Sequence, residues 1–390
     1  MKVMRGHQQW KFLFISAPFG GIEVFSKNLK QVVDERDDID ASWIWIEPQP
    51  KEFFSRISPL SMNWTLKGGY AAWSRVKKLE RSGNQFDAVF FNHIIPARFL
   101  SGFRKRVPTV FSLDVTPEVL APYSQLYYGR EIQNAGMIFS IKHRMLKEMY
   151  HDASYLLAWS DLVRQSLVED YGVPPEKVDV VPPGIDLKQW VSSSHENIDT
   201  KDGLQPIRIL FVGGEFKRKG GDLLLRIAQR NEFRNCEFHF VTKSFEGVRS
   251  ENVFVYPDIK PNSVQLLDLY RKADIFALPT RADFSPQAVC EAFGFRLPVV
   301  TTNVGGLSEI VTDGENGFLT APDDEEAFAK KIFILVQSSE MRKNFGGNGR
   351  LLVEEKYDIN KNTEIVLQYL KKAVIMNEKN LKISALRRNI

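Results

Sequence analysis

The sequence predicts an α/β protein built from two doubly wound units, and three observations carry that prediction. Short apolar runs recur along the chain, segments of helical composition alternate with them, and a polar stretch divides the series near its middle. Continuous Val, Ile, Leu and Phe runs separated by helices are how a parallel sheet covered on both faces reads. Each half is therefore expected to be a parallel sheet flanked by helices.

In the first half the run Phe12–Ile15 stops at Ser16-Ala-Pro-Phe-Gly-Gly21, a strand followed by a turn. A helix is expected over Glu23–Asp34. Strands follow at Trp43–Ile46, Phe86–Phe91, Thr109–Leu113 and Tyr155–Trp159, with a further helix at Glu131–Tyr150. The second half repeats the rhythm, with strands at Ile207–Val212, Glu237–Val241, Val253–Tyr256, Asp274–Leu278 and Pro298–Thr301. Its helices are expected at Leu223–Arg230, Ser263–Lys272 and Gln287–Phe295. Between the halves, residues 183–206 are rich in Ser, Asn, Gly and Pro, the chemistry of a linker. Residues 1–190 are read as the first domain and 191–364 as the second. The helix-rich basic tail, about 365–390, is expected to pack back on the first.

Composition narrows the classes. At roughly 100–200 residues per domain, 390 residues suit two. A chain 43% hydrophobic and 26% charged is neither disordered nor fibrous. Lys plus Arg exceed Asp plus Glu by a net +4, too little to argue for nucleic acid, and none is expected as a partner. Two cysteines, Cys236 and Cys290, give no disulfide framework and no four-ligand zinc site, so a reducing cytoplasm is the expected compartment. No stretch reaches the roughly 18 apolar residues of a membrane span, and no apolar signal-peptide core precedes Phe12.

Ligands of doubly wound sheets bind beyond the carboxyl ends of the strands. With two such sheets, the natural place is a cleft between them. Three segments stand at strand ends. Gly20 and Gly21 follow the first strand, where paired glycines admit close backbone approach and the next helix N-terminus favours an anion. After Ile207–Val212 comes Gly213-Gly214-Glu-Phe-Lys217-Arg218-Lys219-Gly220-Gly221, three cations between two glycine pairs, a diphosphate clamp or a solvated basic turn. It is no Walker loop, since no Gly-Lys-Ser/Thr follows at the required spacing. The third segment sets Asp283 on a loop, then Phe284-Ser285-Pro286-Gln287, then Glu291 two helical turns on. Carboxylates accept hydrogen bonds from sugar hydroxyls, so this pair can grip an elongated polar ligand; taken alone such a pair is more often surface charge.

Several segments together resemble a known family. Tyr270-Arg-Lys-Ala-Asp274, Leu278-Pro279, the Asp283 and Glu291 pair, Pro298-Val-Val, Gly305-Gly306, Glu309-Ile-Val and Asp313-Gly-Glu-Asn-Gly317 follow one another in the order of retaining glycosyltransferase family 4, the group 1 glycosyltransferases of GT-B fold. Val181-Pro-Pro-Gly184-Ile-Asp186 resembles the segment closing that family's first domain, and Gly20-Gly21 its acceptor-side glycine loop. The resemblance spans almost the whole chain and is most specific in the second half.

It implies two Rossmann-like domains facing a central cleft, the second holding a nucleotide-diphospho-sugar and the first an acceptor. Lys219 would bind the diphosphate, Glu291 the ribose and Asp283 the transferred sugar. Gly20, Gly21, Gly214, Arg218 and the stretch Phe284, Ser285, Pro286 and Gln287 join them as donor-binding residues. Three departures stand out. Asp283 replaces the family's Glu, Gly214 replaces a frequent Arg whose charge Lys217 or Arg218 would supply, and a family histidine after Leu113 is missing. Asp114 and His93 then become the catalytic candidates of the first half, together with Asp283.

The implied chemistry is transfer of a sugar to a hydroxyl with anomeric configuration retained. Preorganised donors stabilise the leaving diphosphate, and no protein nucleophile is needed. No metal or other cofactor is expected, because Asp38-Ile-Asp40 reads as a solvated charged turn. The acceptor is expected to be a glycan or lipid-linked glycan of a bacterial surface polysaccharide or glycolipid. The basic and apolar positions of 137–150, with Phe103-Arg-Lys-Arg106, suit a peripheral contact with the inner membrane face or a helix packed on its own sheet. The alternative function is a binding subunit of the same fold with weakened catalysis.

Overall fold

The computed structural model describes residues 9–17, 21–47, 64–131, 136–188, 205–248 and 250–388. They form two units. The first takes the described residues up to Val119, those from 136 to Gly184, and those from Ile359 on; the second takes 120–131 and 185–358.

The first unit is a six-stranded parallel sheet of β1 (Trp10–Ser16), β2 (Ile39–Trp45), β3 (Ala88–Phe91), β4 (Thr109–Leu113), β5 (Tyr155–Ala158) and β6 (Val178–Val180), in the order β2-β1-β3-β4-β5-β6. Alternate residues of β1 go to opposite faces. Phe12 and Phe14 pack in one apolar cluster with helix α1 (Gly21–Asp34), and Leu13 and Ile15 in another beneath α2 (Trp64–Arg81). Burial on both faces is why the inner strand β3 is apolar throughout, whereas the edge strands β2 and β6 carry exposed Asp40 and Asp179. After β3 and β4 come one-turn helices α3 (Ser101–Arg104) and α4 (Pro117–Leu120); α5 (Ser124–Tyr128) follows in the chain but belongs to the second unit. The longer α6 (Met137–Asp152) and α7 (Asp161–Glu169) then cover the sheet. Of the helix expected over Glu131–Tyr150, residues 132–135 lie outside the described residues, and α6 begins at Met137 after Gly136, whose φ is 94°.

The second unit has β7 (Ile207–Val212), β8 (Cys236–Val241), β9 (Val253–Tyr256), β10 (Ile275–Leu278), β11 (Val299–Thr302) and β12 (Gly317–Thr320), all parallel, in the order β12-β11-β10-β7-β8-β9. Helices α8 (Gly221–Ala228), α9 (Val264–Lys272), α10 (Gln287–Gly294), α11 (Glu325–Gln337) and α12 (Ser339–Lys356) enclose one continuous core. In this order the first strand of the unit, β7, lies beside the fourth, β10. The connections therefore run in opposite directions from that point, a topological switch.

The last helix, α13 (Ile359–Arg388), belongs to the first unit, where Val366, Leu367, Leu370 and Val374 pack with Phe12, Phe14 and Phe25. Asp38 anchors it by accepting from Lys371 at 2.8 Å and pairing with Arg36, and the hydrogen bond from Arg36 holds that carboxyl down at about 2. Asp38 is thus tied into a helix docking contact and not simply solvated. The sequence placed the division between the halves at 190/191. The contacts change unit at Gly184/Ile185, where the Ile185 N–H donates to the Tyr357 carbonyl at 2.8 Å. They also give 120–131 to the second unit, since Tyr123 and Tyr127 pack on Phe284.

Candidate functional site

The switch point of the second unit brings two loops together at the carboxyl ends of β7 and β10. One is the glycine- and cation-rich turn 213–220; the other runs from Pro279 to Pro286. Their backbones are joined by the Arg281 N–H donating to the Arg218 carbonyl at 2.9 Å. Close packing sets the glycines. Gly220 has φ +77°, and a Cβ there would lie 1.9 Å from the Pro279 carbonyl oxygen. Gly305, at φ +55°, would set a Cβ 1.8 Å from the carbonyl oxygen of Asp283. Buried threonines stiffen the floor: Thr301 donates to the Leu278 carbonyl at 2.7 Å, and Thr280 to that of Ala282 at 3.1 Å.

The three consecutive cations of the first loop part company. Lys217 is exposed and pairs with Glu246 at 2.6 Å. Arg218 turns inward. Its Nε and Nη2 reach both oxygens of Glu215, at 2.9 and 2.7 Å, while Nη1 donates to the Ala282 carbonyl at 2.7 Å and the Tyr127 hydroxyl at 3.2 Å. Its guanidinium also lies 4.4 Å from the Tyr127 ring centre, and the fork holds Glu215 below the usual carboxyl range. Lys219 alone crosses to the other loop, where its ammonium pairs with the Asp283 carboxylate. The helix following it, α8, opens at Gly220 with no side-chain cap.

Along the second loop Asp283 is 7% exposed. Phe284 is buried and stacks on Tyr127 at 5.8 Å, Ser285 is half-buried, and Pro286 is the N-cap of α10, with no side-chain cap bond. Gln287 opens α10. Glu291, one turn further and 5% exposed, accepts from the Tyr270 hydroxyl at 2.8 Å. Burial pushes its carboxyl up to about 7, against the Tyr270 bond that pulls it down. The structure thus joins Lys219 directly to Asp283, while Glu291 is held from behind by Tyr270. Gly214 is exposed, with open space where a side chain would project, and its carbonyl accepts from Ser244 at 3.1 Å.

In the first unit the candidates follow the neighbouring strands β1, β3 and β4, and the switch point lies between β1 and β3. There the Ala17 N–H donates to Asn92 Oδ1 at 3.2 Å, and Asn92 Nδ2 donates to Ser16 at 2.8 Å. His93 follows; its Nδ1 accepts the Ile95 N–H at 3.1 Å, so in the neutral ring the proton sits on Nε2. Burial depresses this imidazole to about 4. Asp114 directly follows β4, and burial raises it to about 6 against two backbone N–H donors, its own and that of Val115. Gly21 is the exposed first residue of α1, and Gly20 lies outside the described residues. Sequence reasoning missed Asn92, Glu215 and Tyr127. Only Glu215 left a local trace, three positions before Arg218.

Among the described residues no group of three or more His, Cys, Asp or Glu side chains could hold a metal ion. None of the helices there is long and apolar enough to cross a membrane. Of the basic segments, Arg104 is buried and Arg106 pairs with Glu80 at 2.6 Å, while α6 packs Leu146, Met149 and Tyr150 on its own sheet.

Residues 19–189 match the profile described as Glycosyltransferase Family 4, and residues 206–338 that described as Glycosyl transferases group 1. The D-inositol 3-phosphate glycosyltransferase of Paenarthrobacter aurescens is 26% identical over 213 residues, covering 50% of this chain and 52% of that protein. The chain thus spans about half the length of that curated relative. Among solved structures, sucrose-phosphate synthase from Thermosynechococcus elongatus superposes with a TM-score of 0.73 at 15% identity, over 93% of this chain and 99% of the other. Anabaena HepE in complex with UDP and glucose gives 0.66 at 16% identity, over 93% and 100%. At such identities the superpositions show a shared fold, two Rossmann-like α/β domains of GT-B type.

Proposed function

Since this chain belongs to the group 1 glycosyltransferases, we propose that it moves a hexosyl group from a nucleotide-diphospho-sugar to a hydroxyl of a glycan or lipid-linked glycan, with retention of configuration, in bacterial surface polysaccharide or glycolipid synthesis. The observation that carries this reading is the Lys219–Asp283 pair across the β7/β10 switch point, where doubly wound sheets bind their ligands. The complex of HepE with UDP and glucose supports the class of donor.

In this reading the diphosphate takes the Lys219 ammonium at the turn that leads into α8. The bond between the anomeric carbon and the phosphate oxygen breaks, and a bond to the acceptor oxygen forms. The acceptor proton goes to the departing phosphate oxygen, leaving a nucleoside diphosphate and a glycoside. Asp283, released from Lys219, accepts from a hydroxyl of the transferred sugar, and Glu291 from the ribose. In the first unit Asp114, ionised above about 6, accepts from the acceptor hydroxyl. His93, neutral at physiological pH, donates from Nε2. Exposed Ile141 and Met145 beside exposed Lys142, Arg144 and Lys147 support peripheral contact with an anionic membrane.

The test is release of nucleoside diphosphate from UDP-, GDP- and ADP-sugars, with and without glycan or glycolipid acceptors. Turnover of one of them, abolished by Lys219→Met, is expected. A chain that neither binds nor consumes any of these donors sinks the reading.

A further inference from the structure

The bond between Lys219 and Asp283 is one that a donor diphosphate, in the reading above, has to open. Arg281 links the same two loops without depending on that bond. It stands two residues before Asp283, and its side chain is 18% exposed. Its Nη1 and Nη2 fork onto both oxygens of Asp222, at 2.7 and 3.0 Å, and Nη1 also donates to the Lys217 carbonyl. The backbone N–H of Arg281 adds the bond to the Arg218 carbonyl at 2.9 Å. The residues so held, Lys217, Arg218 and Asp222, bracket Lys219 on both sides. By contrast, Arg218 and Thr280 join the loops at residue 218 alone. The last guanidinium nitrogen of Arg281, Nε, reaches Asp323 at 2.7 Å, on the connection from β12 to α11. Asp323 is itself held at a left-handed φ of 62°, a backbone uncommon outside glycine.

The chemistry of this arginine fits holding and not phosphate contact. All three of its side-chain nitrogens are committed to protein oxygens, two of them to a planar fork that a lysine could not reproduce. Lys219 differs, because its carboxylate partner is exchangeable for phosphate oxygens. Once that exchange happens, the loops lose the Lys219–Asp283 link at the moment the ammonium has to stay in place. We infer that Arg281 is a positioning residue of the donor site, which keeps the turn bearing Lys219 in register with the loop bearing Asp283 after their own pair has opened. The inference rests on the donor site proposed above and adds to it a residue that touches neither nucleotide nor sugar.

The test uses the full chain with Arg281→Met and with Asp222→Asn, each titrated by calorimetry with UDP, GDP and ADP. The nucleotide preferred by the wild type is expected to bind at least about tenfold more weakly to Arg281→Met and at least about threefold more weakly to Asp222→Asn, with the wild-type number of sites per chain. The number of sites separates positioning from folding. Fewer sites of unchanged affinity would show a merely structural role and overturn the inference. Asp222→Asn separates positioning from direct contact, because it loosens the arginine from its fork. Affinity lost in Arg281→Met but kept or raised in Asp222→Asn would make Arg281 a phosphate ligand, which also overturns it. Unchanged affinity in Arg281→Met overturns it and leaves the donor site standing. Should Arg281→Met fail to fold, Asp222→Asn, which leaves the arginine in place, decides alone. A wild-type chain that binds none of the three nucleotides removes the donor site itself, and the inference with it.

Discussion

Lys219 and Asp283 form an ion pair that ties together two loops 64 residues apart in sequence, one leaving β7 and the other leading from β10 to α10. Both side chains are largely buried, so each charge depends on the other for compensation. The pair is also well suited to exchange. A diphosphate carries more charge and more acceptor oxygens than one carboxylate, and by taking the ammonium it sets the carboxylate free for a hydroxyl.

Lys219→Met is expected to abolish nucleotide binding. A ligand at 100 times its dissociation constant stabilises the wild type by about 2.7 kcal/mol, and that increment should vanish from the thermal unfolding curve. The variant also strands the Asp283 carboxylate, at a cost of about 3 kcal/mol in the free chain. Adding Asp283→Asn should recover most of this stability without recovering binding, a split that separates the structural from the ligand role.

Glu291 makes stability depend on pH. The unfolded carboxyl releases its proton near 4.5 and the folded one near 7. Between those values the folded chain holds a proton the unfolded chain has lost, so stability falls as pH rises. Glu291→Gln should therefore gain on the wild type from about pH 4.5 to about pH 7, approaching about 3 kcal/mol, and stay level above. Urea unfolding at pH 5, 6, 7 and 8 checks this; a difference constant across the series contradicts it.

Asp114→Asn should lower turnover more than donor affinity, because Asp114 is assigned to the acceptor. Wild-type kcat/KM is expected to rise with pH through about 6, where the carboxyl of the ligand-free chain ionises, and the variant should lose that limb. Equal losses in kcat and in donor affinity would point to damage to the fold instead.

Arg218→Lys is not a conservative change here. A lysine cannot reproduce the fork on Glu215 together with the bonds to Ala282 and Tyr127. The loss is expected to be about 2 kcal/mol, with faster proteolysis around 120–131. Stability equal to the wild type would show that the clamp contributes nothing.

Gly305→Ala puts a methyl 1.8 Å from the Asp283 carbonyl oxygen at a left-handed φ of +55°. The loop bearing Asp283 must shift. Donor affinity is expected to fall at least about tenfold along with stability, whereas Gly214→Ala, which meets open space, should change stability little.

Much of the fold was legible because sheets buried on both faces announce themselves. Thr109–Leu113 and Ile207–Val212 match their strands to the residue, the first carrying Val110, Phe111 and Leu113 among small polar residues and the second apolar but for Arg208, and each is ended by a change of composition. Val178–Val180 and Gly317–Thr320 were not anticipated, since three or four residues at a sheet edge give no pattern to read. At the site, the glycines and the strand ends marked the two loops. Which of Lys217, Arg218 and Lys219 faces Asp283 was not legible, because three adjacent cations are equivalent until the backbone turns them apart. Nor was Tyr127, 91 residues from the arginine it covers: cation–π contact at that separation leaves no local spacing.

The docking of α13 bears on how the polypeptide matures. Phe12, Phe14 and Phe25 find part of their cover only in Val366, Leu367, Leu370 and Val374. On the ribosome, the earlier sheet must wait, one flank covered only in part by α1, while 185–358 emerges and can close around its own interior. The half synthesised first is therefore the half completed last. A chaperone that shields newly made chains would find its longest-lived target there.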